Sequence, residues 1–199
     1  MNILEQETLE KIKDKDIIDV GGFIGDSAII FEREFTHKHI HSFEATKTNY
    51  TLMLKTLELN KSTRIIPINK GLGSKEEILE ISLMGSASTL DTKKNQYYDI
   101  EHTEQVKIIT LDSYVKEHNI EVGFIKVDIE GFEQEFLKGA METIRTQKPA
   151  MLLSIYHNAD DFFHIKPLIE SWDLGYTFKF NKPIDGSIST ETALYCEVL

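Results

Sequence analysis

The 199-residue sequence has a single cysteine, Cys196, so no disulfide can form within the chain. One thiol in a C-terminal apolar run reads as a small buried residue rather than a nucleophile, and a reducing compartment is compatible with it. Long hydrophobic runs are missing: nothing approaches the roughly 20 apolar residues that cross a bilayer. The first residues are polar and charged, without the basic and apolar regions of a secretory leader, so a cytoplasmic location is expected. Positive charge is in deficit, with 22 Lys and Arg against 33 Asp and Glu and a formal net charge of -11. Nucleic acid is bound through cations that displace its counterions, and anionic membranes attract the same residues. The balance argues against both and favours a small neutral or polar partner. No repeat, low-complexity tract or linker breaks the chain, and its length suits one domain over residues 1–199.

Short apolar runs alternate with stretches of helical periodicity, the pattern of parallel strands joined by helical crossovers. Asp16 to Val20 runs into glycines and predicts a buried strand and a tight turn. The next helix carries Ala28, Phe31 and Phe35 on its core face, with Asp26 or Ser27 as its cap. Strands follow at 39–44 and 64–69; between them Tyr50, Met53, Leu54 and Leu57 share one face of a helix over 46–60. Residues 70–110 depart from this rhythm. Strands at 78–83 and 105–110 flank a polar stretch with Ser86-Ala87-Ser88-Thr89, which suggests a hairpin or lid on the substrate side. A helix at 111–118, a strand at 123–128, a helix at 131–144 and a strand at 150–155 restore the alternation. Pro167 places the start of the last regular helix near itself. Strands at 176–180 and 193–198 are joined by a link too short for a helix, so they pair antiparallel. The expected architecture is α/β and Rossmann-like: a seven-stranded, mostly parallel sheet with an antiparallel end strand and helices on both faces.

The turn after the first strand of such a sheet is where a ligand binds. Here it reads Asp19-Val20-Gly21-Gly22-Phe23-Ile24-Gly25-Asp26-Ser27. The glycines let backbone approach a bound molecule, and the helix start offers free N–H groups. The spacing does not spell the dinucleotide turn, and an acid at position 19 would repel a pyrophosphate. It suits a ligand with an ammonium group, met directly or through water. Glu44 ends the second strand, where a carboxylate accepts ribose hydroxyls. Together these residues point to an adenosyl ligand with a positive end, S-adenosylmethionine. Asn69 and Gly71, after the third strand, would flank the adenine.

Lys126, Asp128 and Glu130 alternate with Val127 and Ile129, so an extended chain puts all three charges on one side. A lysine there is costly to bury unpaired, and Asp128 and Glu130 are the expected partners. The group orients and deprotonates an acceptor, or is an ion pair fixing the strand end. His157 and Asn158 end the next strand. His157 is a candidate general base. No metal is assigned, although Asp128, Glu130, His157 and Asn158 could hold a divalent cation.

These motifs resemble the FkbM-type S-adenosylmethionine-dependent methyltransferases. The matching residues are Asp19-Val20-Gly21-Gly22-Phe23-Ile24-Gly25, Phe43-Glu44, Thr110-Leu111-Asp112, and Ile125-Lys126-Val127-Asp128-Ile129-Glu130-Gly131-Phe132-Glu133 running to Leu137-Lys138-Gly139-Ala140. Gly22-Phe23 stands where the family usually has Ala-Asn. The resemblance implies the class I methyltransferase fold and O-methylation of a sugar, glycoconjugate or related natural product. It implies cofactor contacts from Asp19, Gly21, Gly25 and Glu44, and an active site containing Asp128 and Glu130. On the reading of the residues, Gly22, Phe23, Asp26, Ser27, Asn69, Gly71 and Asp128 join the cofactor site, and Lys126, Asp128, Glu130 and His157 the catalytic one. The competing expectations are a nicotinamide-dependent oxidoreductase and a non-catalytic ligand-binding domain. Oligomeric state is open.

Overall fold

The computed structural model describes residues 4–84, 87–89, 102–182 and 190–198. In chain order the elements are α1 (Gln6–Ile12), β1 (Asp16–Val20), α2 (Asp26–Glu34), β2 (Ile40–Phe43), α3 (Lys47–Asn60), β3 (Ile65–Ile68), β4 (Gly71–Leu72), β5 (Glu77–Met84), β6 (Ala87–Thr89), β7 (His102–Ile109), α4 (Leu111–His118), β8 (Val122–Val127), α5 (Glu133–Gly139), α6 (Met141–Gln147), β9 (Ala150–Ser154), α7 (Ala159–Ser171), β10 (Thr177–Asn181) and β11 (Ala193–Glu197).

Seven strands form one sheet in the order β10-β11-β9-β8-β1-β2-β3. The β1, β2, β3, β8 and β9 pairings are parallel, whereas β11 runs antiparallel to both β9 and β10. The antiparallel strand therefore lies one place in from the edge. Alternation along the central strands feeds two cores. Ile17 and Phe124 pack with Ile12, Phe31, Met53 and Leu57 of α1 to α3. Ile18, Val20, Ile125 and Val127 pack with Tyr114, Leu137, Ile144 and Ile165 of α4 to α7. Chain order reverses between β1 and β8, so the crevice of this sheet opens beyond their carboxyl ends.

The 70–110 region builds a second sheet, β4-β7-β5-β6, with β5 and β7 antiparallel over Glu77–Leu83 and His102–Ile108. Its own core is small, formed by Ile81, Val106 and Ile108. Ser86 and the polar stretch at 90–101 lie outside the described residues, as does the 183–186 part of the β10–β11 link.

Four local expectations change. The helix expected at 131–144 is two helices, because Ala140 leaves helical geometry (φ -112°, ψ 3°) and the Asp112 carboxylate accepts from the N–H groups of Glu142 and Thr143 to start α6. Pro167 lies inside α7 rather than at its start; the carbonyl it leaves unbonded belongs to Phe163, which is exposed to water. Leu54 is exposed, while Met53 and Leu57 carry the core face of α3. Neither Asp26 nor Ser27 caps α2: its N-cap is Gly25 at φ +86°, with no side-chain cap. Among the described residues, no helix is long and apolar enough to cross a membrane.

Candidate functional site

The β1 turn is held by its own chain before any ligand is considered. Gly21 has φ +76°, and a Cβ there would lie 1.9 Å from the Asp128 carbonyl oxygen. Gly22 is closed in the same way by Ser42 Oγ, 2.1 Å from where its Cβ would be. The glycines are thus explained first by the close approach of the β8 end and of β2. Phe23 follows at φ +47°, with its ring 41% exposed at the crevice mouth.

Asp19 is fully buried. Its carboxylate accepts from Ser42 Oγ at 2.8 Å and from Ser27 Oγ at 3.1 Å, and Lys126 Nζ stands 3.6 Å from Oδ1. The same ammonium donates to the Gly21 carbonyl at 2.7 Å. The expected partners of Lys126 are therefore corrected. Asp19 and Lys126 are register neighbours on β1 and β8, which puts their side chains on one face. The strand ends at Val127, and Glu130 at φ +58° and Gly131 at φ +102° turn the chain before the alternation can continue. The Asp19 oxygens are enclosed by Ser27, Ser42 and Lys126.

Glu44 lies beside the turn, 7% exposed. Its Oε2 accepts from Phe23 N–H at 3.1 Å, and its Oε1 from the Thr46 N–H at 2.9 Å and hydroxyl at 2.7 Å. Burial pushes its carboxyl above the usual range, against these hydrogen bonds. Oε1 is thus filled by Thr46, whereas Oε2, with one donor, keeps a further acceptor position for a hydroxyl. Asn69 donates to the Glu44 and Ala45 carbonyls at 2.9 and 3.0 Å. Gly71 pairs with Ile108 in the second sheet, so both residues border the β2–α3 loop. Asp26 is exposed on the first turn of α2.

Across the crevice, the ends of β8 and β9 meet at His157. Its Nε2 is 3.3 Å from Asp128 Oδ1 and 3.7 Å from Glu130 Oε2. Its Nδ1 is 3.0 Å from Glu133 Oε1, which also accepts from Ile129 N–H at 3.0 Å. Burial alone would push Glu133 up, but the hydrogen bond and charge of His157 and the Ile129 N–H hold it below the usual range. An ionised carboxylate only accepts, so Nδ1 is the donor and Nε2 faces Asp128 and Glu130. Burial resists a proton on His157, yet Glu133, Asp128 and Glu130 raise its affinity for one. Behind Glu133 stands Asp161, where burial together with the Glu133 carboxylate pushes the acid up to about 6.

Asn158 does not join this group. Its Oδ1 accepts from Asp161 N–H at 2.8 Å as the cap of α7, and its Nδ2 donates to the Asp161 carboxylate. Glu133 belongs in its place. It stands in the quoted motif without an assigned role, because it meets His157 only through the Glu130-Gly131 turn. The structure thus brings Asp128, Glu130, His157 and Glu133 together, and separates Lys126 from them.

Residues 19–178 match the Methyltransferase FkbM domain family. Methyltransferase 1 of Beauveria bassiana (strain ARSEF 2860) is 25% identical over 177 residues, covering 79% of this chain and 71% of that protein. The crystal structure of methyltransferase FkbM from Methylobacillus flagellatus KT superposes with a TM-score of 0.70 at 21% identity; the match covers 92% of this chain and 43% of that one. This chain thus spans less than half the length of that protein. SMU.1697c from Streptococcus mutans, in complex with SAH, matches with a TM-score of 0.59 at 10% identity over 97% of this chain and 94% of that one. An rRNA methylase from Streptococcus thermophilus shares the fold too, with a TM-score of 0.57 and 13% identity over 96% of this chain and 92% of that one. The exclusion of nucleic acid drawn from net charge therefore gains no support from the fold.

Proposed function

Because the chain belongs to the methyltransferase FkbM domain family, we propose that it transfers the methyl group of S-adenosylmethionine to a hydroxyl of a sugar, glycoconjugate or related natural product. The observation that carries this reading is the pairing, across one crevice, of a buried acceptor of hydroxyls with an acid–imidazole group. Glu44 directly follows β2, and the Asp128, Glu130 and His157 side chains converge beyond β8 and β9.

The residues on the cofactor side fit an adenosyl ligand. Glu44 Oε2 keeps an acceptor position for a ribose hydroxyl, and Phe23 offers an apolar ring beside it. No side chain caps α2, so its first amides are available to a bound carboxylate. Asp19 and Lys126 hold the turn from beneath, with the lysine fixing the Gly21 carbonyl. The cofactor supplies an activated methyl carbon on sulfonium, and the protein aligns the acceptor for in-line attack.

On the acceptor side, Asp128, Glu130 and His157 orient the hydroxyl and receive its proton, while Glu133 fixes the imidazole ring. An acidic group at this position, on a chain of net charge -11, favours an uncharged acceptor over a phosphate-rich one. Tyr156 lies against His157, ring centroids 4.2 Å apart, and narrows the acceptor side.

Calorimetry with S-adenosylhomocysteine and transfer of labelled methyl from S-adenosylmethionine to panels of sugars, glycoconjugates and RNA test the reading. Micromolar binding and label in a hydroxyl-bearing glycan are the expected results. Binding of NADH with none of S-adenosylhomocysteine would overturn the methyl-transfer reading, and label in RNA alone would overturn the acceptor class.

A further inference from the structure

We propose that the carboxyl ends of β8 and β9 form a binding site for one divalent first-row transition cation, held by His157 Nε2 and the carboxylates of Asp128 and Glu130. The inference rests on the reading of this crevice as the acceptor side of a methyl-transfer site, and gives that side a Lewis acid.

The spacing is that of ligands sharing one ion. Donors about 2.1 Å from a common cation stand roughly 3.0–3.4 Å apart in octahedral or tetrahedral geometry. His157 Nε2 and Asp128 Oδ1 are 3.3 Å apart. Glu130 Oε2, at 3.7 Å from Nε2 on a side chain 43% exposed, is wider by a few tenths of an ångström. Glu133 completes the arrangement from behind. A metal-bound imidazole characteristically donates its other N–H to a carboxylate, which sets the tautomer and the ring plane. Glu133 Oε1 receives Nδ1 in this way at 3.0 Å.

A second observation points to a cation. Glu133 is wholly buried, and its Oε2 has no hydrogen-bond partner. It stands within a cluster in which one Glu133 oxygen, one Asp128 oxygen and one His157 nitrogen all lie within 4.8 Å of one another. A buried carboxylate short of a donor, beside further acids, is a local deficit of positive charge. Among the described residues no lysine or arginine pairs with Asp128 or Glu133, and Lys126 on the same strand is committed to Asp19.

One nitrogen with carboxylate oxygens is a donor set for Mn²⁺, Fe²⁺ or Zn²⁺, whereas Ca²⁺ and Mg²⁺ favour all-oxygen sites. A cation here lowers the pKa of an acceptor hydroxyl bound beside it. The hydroxyl proton passes to a neighbouring carboxylate or to water. The oxygen then bonds the methyl carbon as the carbon–sulfur bond breaks, and the sulfonium leaves as a neutral thioether.

The test uses tag-free protein stripped with EDTA and titrated calorimetrically with MnCl2, with ZnCl2 and, separately, with S-adenosylhomocysteine. One equivalent of either cation should bind with micromolar affinity. Asp128→Asn and His157→Gln should weaken it at least tenfold, and Glu133→Gln, which touches no cation, by about 10- to 100-fold. Spin-echo spectra of bound Mn²⁺ should show nitrogen coupling that His157→Gln removes. Asp128 is partly exposed, so Asp128→Asn remains informative if the histidine variant folds poorly. No stoichiometric binding at millimolar metal, with S-adenosylhomocysteine still bound, overturns the cation site and leaves the methyl-transfer reading standing. Cation binding undiminished in Asp128→Asn and His157→Gln overturns it as well. Cation binding at these residues without any binding of S-adenosylhomocysteine supports the site and sinks the methyl-transfer reading.

Discussion

Replacing Lys126 by methionine should destabilise the protein far more than an ordinary lysine substitution. The ammonium stands 3.6 Å from Asp19 Oδ1, in a pair whose side chains are 13% and 0% exposed, and it donates to Gly21 O at 2.7 Å. Methionine keeps most of the side-chain volume but leaves the Asp19 charge with only the Ser27 and Ser42 hydroxyls. Removing one member of a buried pair costs about 3–5 kcal/mol, because the other charge stays buried without compensation. For a chain of this length that corresponds to a fall in Tm of roughly 6–20 °C. The double variant Asp19→Asn with Lys126→Met removes both charges while the amide can still accept from the serines. Its cost should fall short of the sum of the single variants by at least about 1 kcal/mol. Urea unfolding of wild type, both single variants and the double variant gives the cycle. Additivity within about 0.5 kcal/mol would show that the two side chains act independently and would refute this account of the turn.

Glu44→Gln should weaken S-adenosylhomocysteine about 10- to 100-fold by calorimetry, since hydrogen bonds to a charged acceptor are worth about 1.5–3 kcal/mol. Burial raises the Glu44 pKa, so ionisation is lost as pH falls through a window above the ordinary glutamate range. Wild-type affinity should decline through that window while Glu44→Gln stays flat, and parallel profiles would rule out the contact. Asp161 binds its proton more tightly in the folded protein, at about 6, than in the unfolded chain, at 3.8. The stability this confers is full below the unfolded value and lost as pH rises through the folded one. Asp161→Asn should therefore be more stable than wild type at pH 8 by up to about 3 kcal/mol, with the gap closing toward pH 4 in urea titrations. Asp112→Ala should cost about 1–2 kcal/mol by unfolding α6 from its start, and a change under about 0.3 kcal/mol would deny it the capping role.

Much of the fold is legible in residue order alone. Apolar strands such as Ile17 to Val20 and Ala150 to Leu153 are buried on both faces and need no partner to be recognised. The helix at Leu111–His118 is bounded by Thr110, whose side chain accepts from Ser113 N–H, a local signal. The short link after β10 fixes antiparallel pairing with β11. The break before α6 was not legible, because the Asp112 cap comes from 30 residues away. The 70–110 region was legible as strands but not as a separate sheet, since pairing of β4 with β7 depends on how the chain returns.

The sequence by itself determined which residues stand at or just past strand ends, Asp19, Glu44, Asp128 and His157, and in a parallel sheet those ends face one crevice. Only the tertiary structure decided whom each of them meets. Spacing along one strand suggested Lys126 with Asp128 and Glu130; register between strands paired Lys126 with Asp19 instead. Two residues at positive φ then carried Glu130 toward His157 and brought Glu133 in behind the ring. Periodicity records which way a side chain points from its own backbone. It does not record the partner, because a partner is fixed by the alignment of segments distant in sequence.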